Sequence, residues 1–163
     1  MRNIILIGHN LRSSHNVGSL IRTAEGLGVE DVFLTGYSPY PAQANDVRLP
    51  HLIAKIDNQI SKTALGAEKK LGTQATIKQL LEQLKHQGYK ITAVEQAAKS
   101  IKLPDYKPPD KVALLVGREV EGIEAEILAQ CDSIIEIPML GDKESFNVVQ
   151  AAAMALYHCR FAN

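Results

Sequence analysis

Long apolar runs and clustered cysteines are what this sequence most clearly lacks. No apolar run approaches the ~18 residues of a membrane-spanning helix, and the opening segment MRNIILIGHN is too short in its apolar part for a signal peptide. The two cysteines, Cys131 and Cys159, lack the spacing of metal ligands, and the five histidines form no H-x-x-x-H or Cys/His cluster. We therefore expect a cytoplasmic protein with reduced thiols, no bound metal and no membrane partner.

Common cofactor and nucleophile motifs are also missing. The Gly-Leu-Gly of Gly26–Gly28 ends a predicted helix and does not follow a strand, so it cannot cradle a pyrophosphate as a dinucleotide-binding turn does. The chain contains neither the G-x-x-x-x-G-K-[ST] phosphate loop nor the G-x-S-x-G nucleophile turn. These absences argue against the most common cofactor-binding and nucleophile hypotheses.

Acidic residues are absent before Glu25, although the formal net charge of the whole chain is zero. The basic and titratable residues in this stretch are Arg2, Arg12 and Arg22, with His9 and His15 nearby. Two interpretations stay open at this point: chance in a short segment, or a local patch that faces an anion.

Segments rich in Val and Ile alternate with helical patterns along the 163 residues. The predicted strands are Ile4–Ile7, Val32–Thr35, Ile91–Val94, Val112–Val116 and Ile134–Ile137. The predicted helices are Val17–Leu27, Thr76–Gln87, Ile123–Ala129 and Asn147–Phe161, with another near Ile60–Lys69. This alternation predicts an α/β fold in one domain, residues 1–163, with a mostly parallel sheet and helices on both faces.

Helix starts and one loop carry more specific expectations. Asn16 and Asn147 are predicted N-caps, and Thr76 with Gln79 has the spacing of a capping box. The segment Leu103–Asp110, with its three prolines, is predicted to be a surface loop before a buried strand.

Polar residues and glycines gather after three of the predicted strands. Ligands of open α/β sheets bind at the carboxyl ends of strands. The residues concerned are Asn16 and Arg22 after the first strand, Gly117 and Glu119 after the fourth, and Ser145 and Asn147 after the fifth. Each has an ordinary alternative, namely a solvated helix arginine, an exposed turn or a simply capped helix. A helix start also offers unpaired N–H groups to a ligand.

Three motifs in order resemble those of a known enzyme family. NVGSLIRTAEGLGV has N-x5-R, LLVGREVEGI has G-x-E-x-x-G, and IPMLGDKESFNVVQAAAMAL has I-P-M before S-x-N. Together they resemble the SpoU-type (TrmH-like) RNA ribose 2′-O-methyltransferases of the SPOUT class, from Asn3 to Tyr157. Phe146 stands where the family usually has Leu, and Val149 where a small serine is common. We expect these two departures to alter packing around the cofactor without loss of activity.

The resemblance implies a SPOUT fold with a C-terminal deep trefoil knot, and no appended RNA-binding domain in residues 1–163. It also implies that S-adenosylmethionine (S-adenosyl-L-methionine) is the cofactor and binds in the knot. The residues expected to hold it are Val94, Gly117, Ile137, Met139 and Ser145. Gly117 would let the ligand approach the backbone closely, and the apolar side chains would flank its adenine.

By the same resemblance the reaction is methyl transfer to a ribose 2′-hydroxyl of structured RNA, either tRNA or rRNA. The implied catalytic residues are Arg22, Asn16, Glu119, Ser145 and Asn147. Arg22 would act in proton removal, Asn16 would orient Arg22 or the RNA, and Glu119 would brace the loops. Arginine is a poor base, so Arg22 has two possible roles, a transient base or an anchor for an RNA phosphate.

Two further alternatives remain open from the sequence. The chain could be a non-enzymatic α/β module that binds RNA or a nucleotide and has kept the fold. A homodimer is expected because the last helix, with Val148, Ala152, Ala155 and Leu156, has more apolar surface than one sheet face needs. The alternative is that this surface is buried within a monomer.

Overall fold

The computed structural model describes residues 1–118 and 120–162, in which strands and helices alternate. The strands are β1 (Asn3–His9), β2 (Asp31–Thr35), β3 (Thr73–Ala75), β4 (Lys90–Val94), β5 (Ile101–Lys102), β6 (Lys111–Val116) and β7 (Ser133–Glu136). The α-helices are α1 (Ser14–Gly26), α2 (Pro50–Ala64), α3 (Ile77–His86), α4 (Ala125–Leu128) and α5 (Val148–Phe161). Single turns of 3-10 helix lie at Ala67–Lys69 and Leu103–Asp105.

The seven strands form one sheet in the order β3-β2-β1-β6-β4-β7-β5, and every pairing is parallel. Alternate residues of β1, an inner strand of the sheet, enter two separate cores. Ile4 and Leu6 pack with buried residues of α1, α2 and α5, whereas Ile5 and Ile7 pack with those of α3 and α4. The predicted α/β fold with helices on both faces is therefore confirmed.

All five predicted strands are present, but the sheet has two more. β3 has three residues and β5 has two, which is too short for an alternating pattern to be visible in the sequence. The helix predicted near Ile60–Lys69 is wrong in position, because α2 begins at Pro50 and ends at Ala64. Proline is favoured in the first turn of a helix, where no N–H partner is needed.

One of the three predicted helix starts is wrong, and one of the other two lacks its predicted capping contact. α1 begins earlier than expected, and its N-cap is Ser13, whose hydroxyl accepts a hydrogen bond from the Asn16 amide at 3.2 Å. Thr76 is at the N-cap position of α3, but its side chain makes no capping hydrogen bond. Asn147 does cap α5, because its Oδ1 accepts from the Val149 amide at 2.8 Å.

The segment Leu103–Asp110 is more than a surface loop. Leu103 and Tyr106 are buried, and the Tyr106 hydroxyl lies 2.8 Å from the hydroxyl of Thr92 on β4. Proline spacing suggested exposure, but these two side chains fill the core beneath α5. Among the helices of the described ranges, none has the length and apolar character to cross a membrane.

Candidate active site

A cleft of about 360 Å³ lies at the carboxyl ends of β6, β4 and β7, which are neighbours in the sheet. The residues that line it are Val94, Glu95, Gln96, Val116, Gly117, Arg118, Val120, Glu121, Gly122, Glu136, Ile137, Met139, Glu144, Ser145, Phe146, Val148 and Ala151. Three loops meet here because parallel strands end at the same edge. The volume lies within the range of sites that hold small ligands, roughly 300–1,000 Å³.

All five residues predicted to hold the cofactor line this cleft. Val94 ends β4, Gly117 directly follows β6, and Ile137 directly follows β7. Met139 and Ser145 belong to the long loop between β7 and α5. The structure thus brings together residues from three distant parts of the chain. Their role in binding a cofactor stays a prediction.

The glycines after β6 shape a tight turn. Gly122 has a φ of +68°, a conformation that L side chains rarely adopt, and its amide donates to the Arg118 carbonyl at 3.2 Å. A Cβ on Gly117 would lie 2.4 Å from Ile123 Cγ1. Contact with Ile123 therefore leaves no room for a side chain at position 117, whether or not a ligand approaches Gly117.

Two consecutive side chains after β4 hold the other two loops of the cleft. Glu95 Oε2 accepts from the Ile123 amide at 3.1 Å, and Gln96 Nε2 donates to the Glu144 carbonyl at 2.7 Å. The first contact fixes the turn after β6, and the second fixes the loop before α5. Sequence reasoning missed both residues, although they directly follow a predicted strand at the predicted ligand edge.

A buried polar network joins the β1–α1 loop to the segment before α4. His9 Nδ1 lies 2.8 Å from Thr35 Oγ1, and His9 Nε2 lies 3.1 Å from Glu124 Oε2. Asn10 Nδ2 donates to Glu124 Oε1 at 2.8 Å. Asn10 also accepts from the Tyr37 amide at 3.1 Å and has a φ of +55°. These contacts fix the loop that leads into α1.

The network shifts the titration of its members. Burial lowers the pKa of His9, although the nearby Glu124 carboxylate opposes this shift. Burial alone would raise the pKa of Glu124, but its own backbone amide, His9, Arg118 and Asn10 outweigh that effect and lower it. The arrangement therefore favours a neutral His9 beside an ionised Glu124.

Arg22 and Asn16 do not belong to the cleft of a single chain. Neither is among the described residues that line it. Because α1 begins at Ser14, Arg22 lies more than two turns into the helix, about 12 Å along its axis. Arg22 therefore lies well inside the helix and not at the helix start that follows the first strand. Its side chain is exposed and pairs with no other described residue.

The remaining predicted catalytic residues differ in placement. Ser145 lines the cleft, and Asn147 caps α5 at its edge. Glu119 lies outside the described residues. Of the two departures from the family pattern, Phe146 lines the cleft, whereas Val149 packs against the core on the side of α1 and α5.

The basic residues of the acid-free segment do not form one patch. Arg2 precedes β1 and donates to the carbonyls of Pro108 and Ala162, at 3.1 and 2.7 Å. Arg12 follows β1, at the opposite edge of the sheet, and pairs with Glu121 at 2.7 Å. The interpretation of this segment as one anion-facing patch that includes Arg2 is therefore wrong.

An all-parallel α/β sheet with a cleft of small-ligand size at its carboxyl edge has the architecture in which α/β proteins bind ligands. The sequence model of the SpoU rRNA Methylase family matches residues 3–157. The chain belongs to this family, and the resemblance drawn from its three motifs is confirmed.

Relatives and solved structures agree with this assignment. A tRNA (guanosine(18)-2'-O)-methyltransferase of Borreliella burgdorferi is 31% identical over 152 residues, covering 88% of this chain and 60% of that protein. The 23S rRNA (guanosine-2'-O-)-methyltransferase RlmB of Neisseria meningitidis serogroup B is 29% identical over 159 residues, covering 96% and 58%. A crystal structure of an RNA 2'-O ribose methyltransferase is 26% identical with a TM-score of 0.78, covering 96% and 55%.

The chain thus spans less than two thirds of the length of each of these three proteins. The fold of the solved RNA 2'-O ribose methyltransferase extends over 96% of this chain, which supports the SPOUT architecture expected from the motifs. The trefoil knot itself stays a prediction.

Proposed function

We propose that the protein transfers a methyl group from S-adenosylmethionine to a ribose 2′-hydroxyl of tRNA or rRNA. The observation that carries this proposal is the cleft, in which the five expected cofactor residues meet. Relatives named as tRNA and 23S rRNA 2'-O-methyltransferases support the reaction and the substrate class. They do not favour one of the two RNAs, because both kinds occur at similar identity.

The residues of the cleft fit the proposed cofactor. Ile137, Met139 and Val94 offer apolar walls to a flat base, and the carboxyl ends of β4 and β6 offer backbone groups to its edge. When bound, the cofactor's sulfonium supplies an already reactive methyl group. The protein's task is therefore to position the ribose and to assist loss of the hydroxyl proton.

Arg22 is proposed to act at this proton-loss step, as a base or as the anchor of an RNA phosphate. Asn16 in the first turn of α1 would orient Arg22 or the RNA, and Glu119 would brace the loops. Since Arg22 lies outside the cleft of its own chain, it must be brought to the ribose by bound RNA or by a second copy. Ser145 and Asn147 would support the loop beside the reacting groups.

We also propose a homodimer, but on a different surface of α5 from the one expected from the sequence. Val148, Ala152, Ala155 and Leu156 are buried in the chain's own core, so they cannot form a subunit contact. The other face of α5 is apolar and open, with Tyr157 61% and Phe161 59% exposed. These two rings border a groove that includes Leu103, Pro104, Ile137, Pro138 and Met154. A second copy seated there would lie next to the cleft, since Ile137 belongs to both.

The rival function is a binding module without catalysis. The exposed position of Arg22 in a single chain is the observation that favours it. Binding of S-adenosylmethionine separates the two functions, because a module that only binds RNA needs no methyl donor.

The first test is calorimetric titration of the protein with S-adenosylmethionine and with its demethylated product. We expect one site per subunit. Absence of binding at near-millimolar ligand would favour the rival. The second test is single-turnover transfer of a labelled methyl group to total tRNA and, separately, to rRNA. Wild-type protein that binds the donor but labels neither RNA would contradict the proposed reaction.

A further inference from the structure

Arg118 is the one basic residue among the described residues that line the cleft. The other charged residues of this lining are acidic, and they are Glu95, Glu121, Glu136 and Glu144. The Arg118 side chain is largely covered, with 22% of its surface exposed. A single shielded cation among carboxylates is a feature that none of the motif roles explains.

The guanidinium group is held along one edge by the protein itself. Its Nε donates to the Gly122 carbonyl at 3.2 Å, and its Nη2 lies 3.4 Å from Glu124 Oε1. Glu121 Oε2 is farther, at 4.0 Å from Nε. Nη1 has no hydrogen-bond partner among the described residues. Arginine carries five N–H donors in a planar fork, so donors remain for a ligand.

We propose that Arg118 binds the carboxylate of the methionine part of S-adenosylmethionine. This inference rests on the proposed function. The ligand carries two positive groups, its sulfonium and its ammonium, and one negative group, its carboxylate. Among the described residues, four carboxylates and one guanidinium line the cleft. Within that lining Arg118 is the one positively charged side chain for the ligand's carboxylate, and a fork fixed at one edge is oriented before the ligand arrives.

The alternative for Arg118 is purely structural. Its bond to the Gly122 carbonyl closes the turn after β6, and that turn also forms a wall of the cleft. A variant that only loosened the turn would lower the affinity of the cleft for every ligand. A variant that removed a carboxylate contact would lower the affinity only for ligands that carry the carboxylate. The two roles are therefore separable with a matched pair of ligands.

The experiment uses the full chain, with S-adenosylmethionine and decarboxylated S-adenosylmethionine as probes in calorimetry. The second compound keeps both positive groups and lacks only the carboxylate. For Arg118→Gln we expect the Kd of S-adenosylmethionine to rise about 10- to 100-fold, as for a hydrogen bond between charged groups. The Kd of the decarboxylated compound should change less than about threefold. Arg118→Lys should restore part of the loss.

Lys90→Gln is the charge-matched control, because Lys90 pairs with Asp132 at 3.1 Å and lies outside the lining of the cleft. It should leave both affinities unchanged. Equal losses for both compounds in Arg118→Gln would show a structural brace, and no loss for either would show no ligand contact. Both outcomes overturn the proposal. Wild-type protein that binds neither compound would overturn the proposed function as well, so the two failures are distinct.

Discussion

Truncation of Glu124 should destabilise the protein more than any exposed carboxylate of the same region. Glu124 accepts from Asn10 at 2.8 Å and lies 3.1 Å from His9 Nε2, and both partners are buried. A hydrogen bond to a charged group contributes roughly 1.5–3 kcal/mol, and a buried donor left unpaired costs roughly 1–3 kcal/mol. The Glu124 side chain is 32% exposed, so water reduces the sum of these two effects. We therefore expect Glu124→Ala to lower the free energy of unfolding by about 2–4 kcal/mol.

The conservative variant separates charge from hydrogen bonding. Glu124→Gln keeps an oxygen for Asn10 and offers an N–H to His9, provided that His9 carries its proton on Nδ1 toward Thr35. Its cost should be about 1 kcal/mol or less. The control Glu126→Ala removes an exposed carboxylate from α4 and should change stability by less than about 0.5 kcal/mol.

Urea unfolding at neutral pH, followed by circular dichroism, measures these differences. In thermal unfolding of a chain of this size, the same loss of 2–4 kcal/mol would lower the Tm by about 5–15 °C. If Glu124→Ala and Glu126→Ala cost the same, the network does not stabilise the β1–α1 loop and the reasoning is wrong.

Four further predictions concern acid stability, the turn, the subunit contact and Arg22. The pKa of His9 in the folded protein lies below its ordinary value of 6.5. The stability of the fold with a neutral His9 is therefore complete above pH 6.5, and part of it is lost as the pH falls toward the folded pKa. His9→Gln should flatten this fall in the free energy of unfolding between about pH 7 and 5. Gly122→Ala places a Cβ 2.4 Å from Glu95 Oε2 at a φ of +68°, so it should cost more than about 1 kcal/mol and weaken S-adenosylmethionine binding; unchanged calorimetry would contradict this. In light scattering we expect the wild-type protein to be a dimer and Tyr157→Asp to be a monomer. A wild-type monomer at tens of micromolar would contradict the dimer proposal. Arg22→Ala should lose at least about 10²-fold in single-turnover methylation with donor affinity retained, and recovery in Arg22→Lys would favour a charge role over proton removal.

Local pattern was enough to predict the scaffold and the sheet edge at which the cleft lies, whereas the residues expected to hold a cofactor came from the family resemblance. Val112–Val116 is a continuous apolar run bounded by a glycine, which is typical of a strand covered on both faces. The residues directly after such strands must gather at one edge, which is why Gly117 and Ile137 meet. Asn147 could be recognised as a cap because its hydrogen bond is to the next turn of the same helix.

Contacts between distant segments could not be predicted in the same way. Asn10 and Glu124 are 114 positions apart, and nothing local indicates that a carboxylate before α4 will receive the amide of the first loop. Likewise the link from Gln96 to the Glu144 carbonyl depends on the order of β4 and β7 in the sheet. Asn16 was the predicted cap of α1, but Ser13 is the cap, and this depends on where the loop leaves β1.

Mass-spectrometric mapping of ribose methylation in RNA from cells with and without the gene tests the central claim most directly. The proposed function predicts at least one 2′-O-methyl nucleotide in tRNA or rRNA that disappears with the gene and returns with the wild-type protein. Complementation by the Arg22→Ala variant should not restore it. Identical methylation maps in the two strains, together with no methyl transfer by the purified protein to either RNA, would contradict the proposed function.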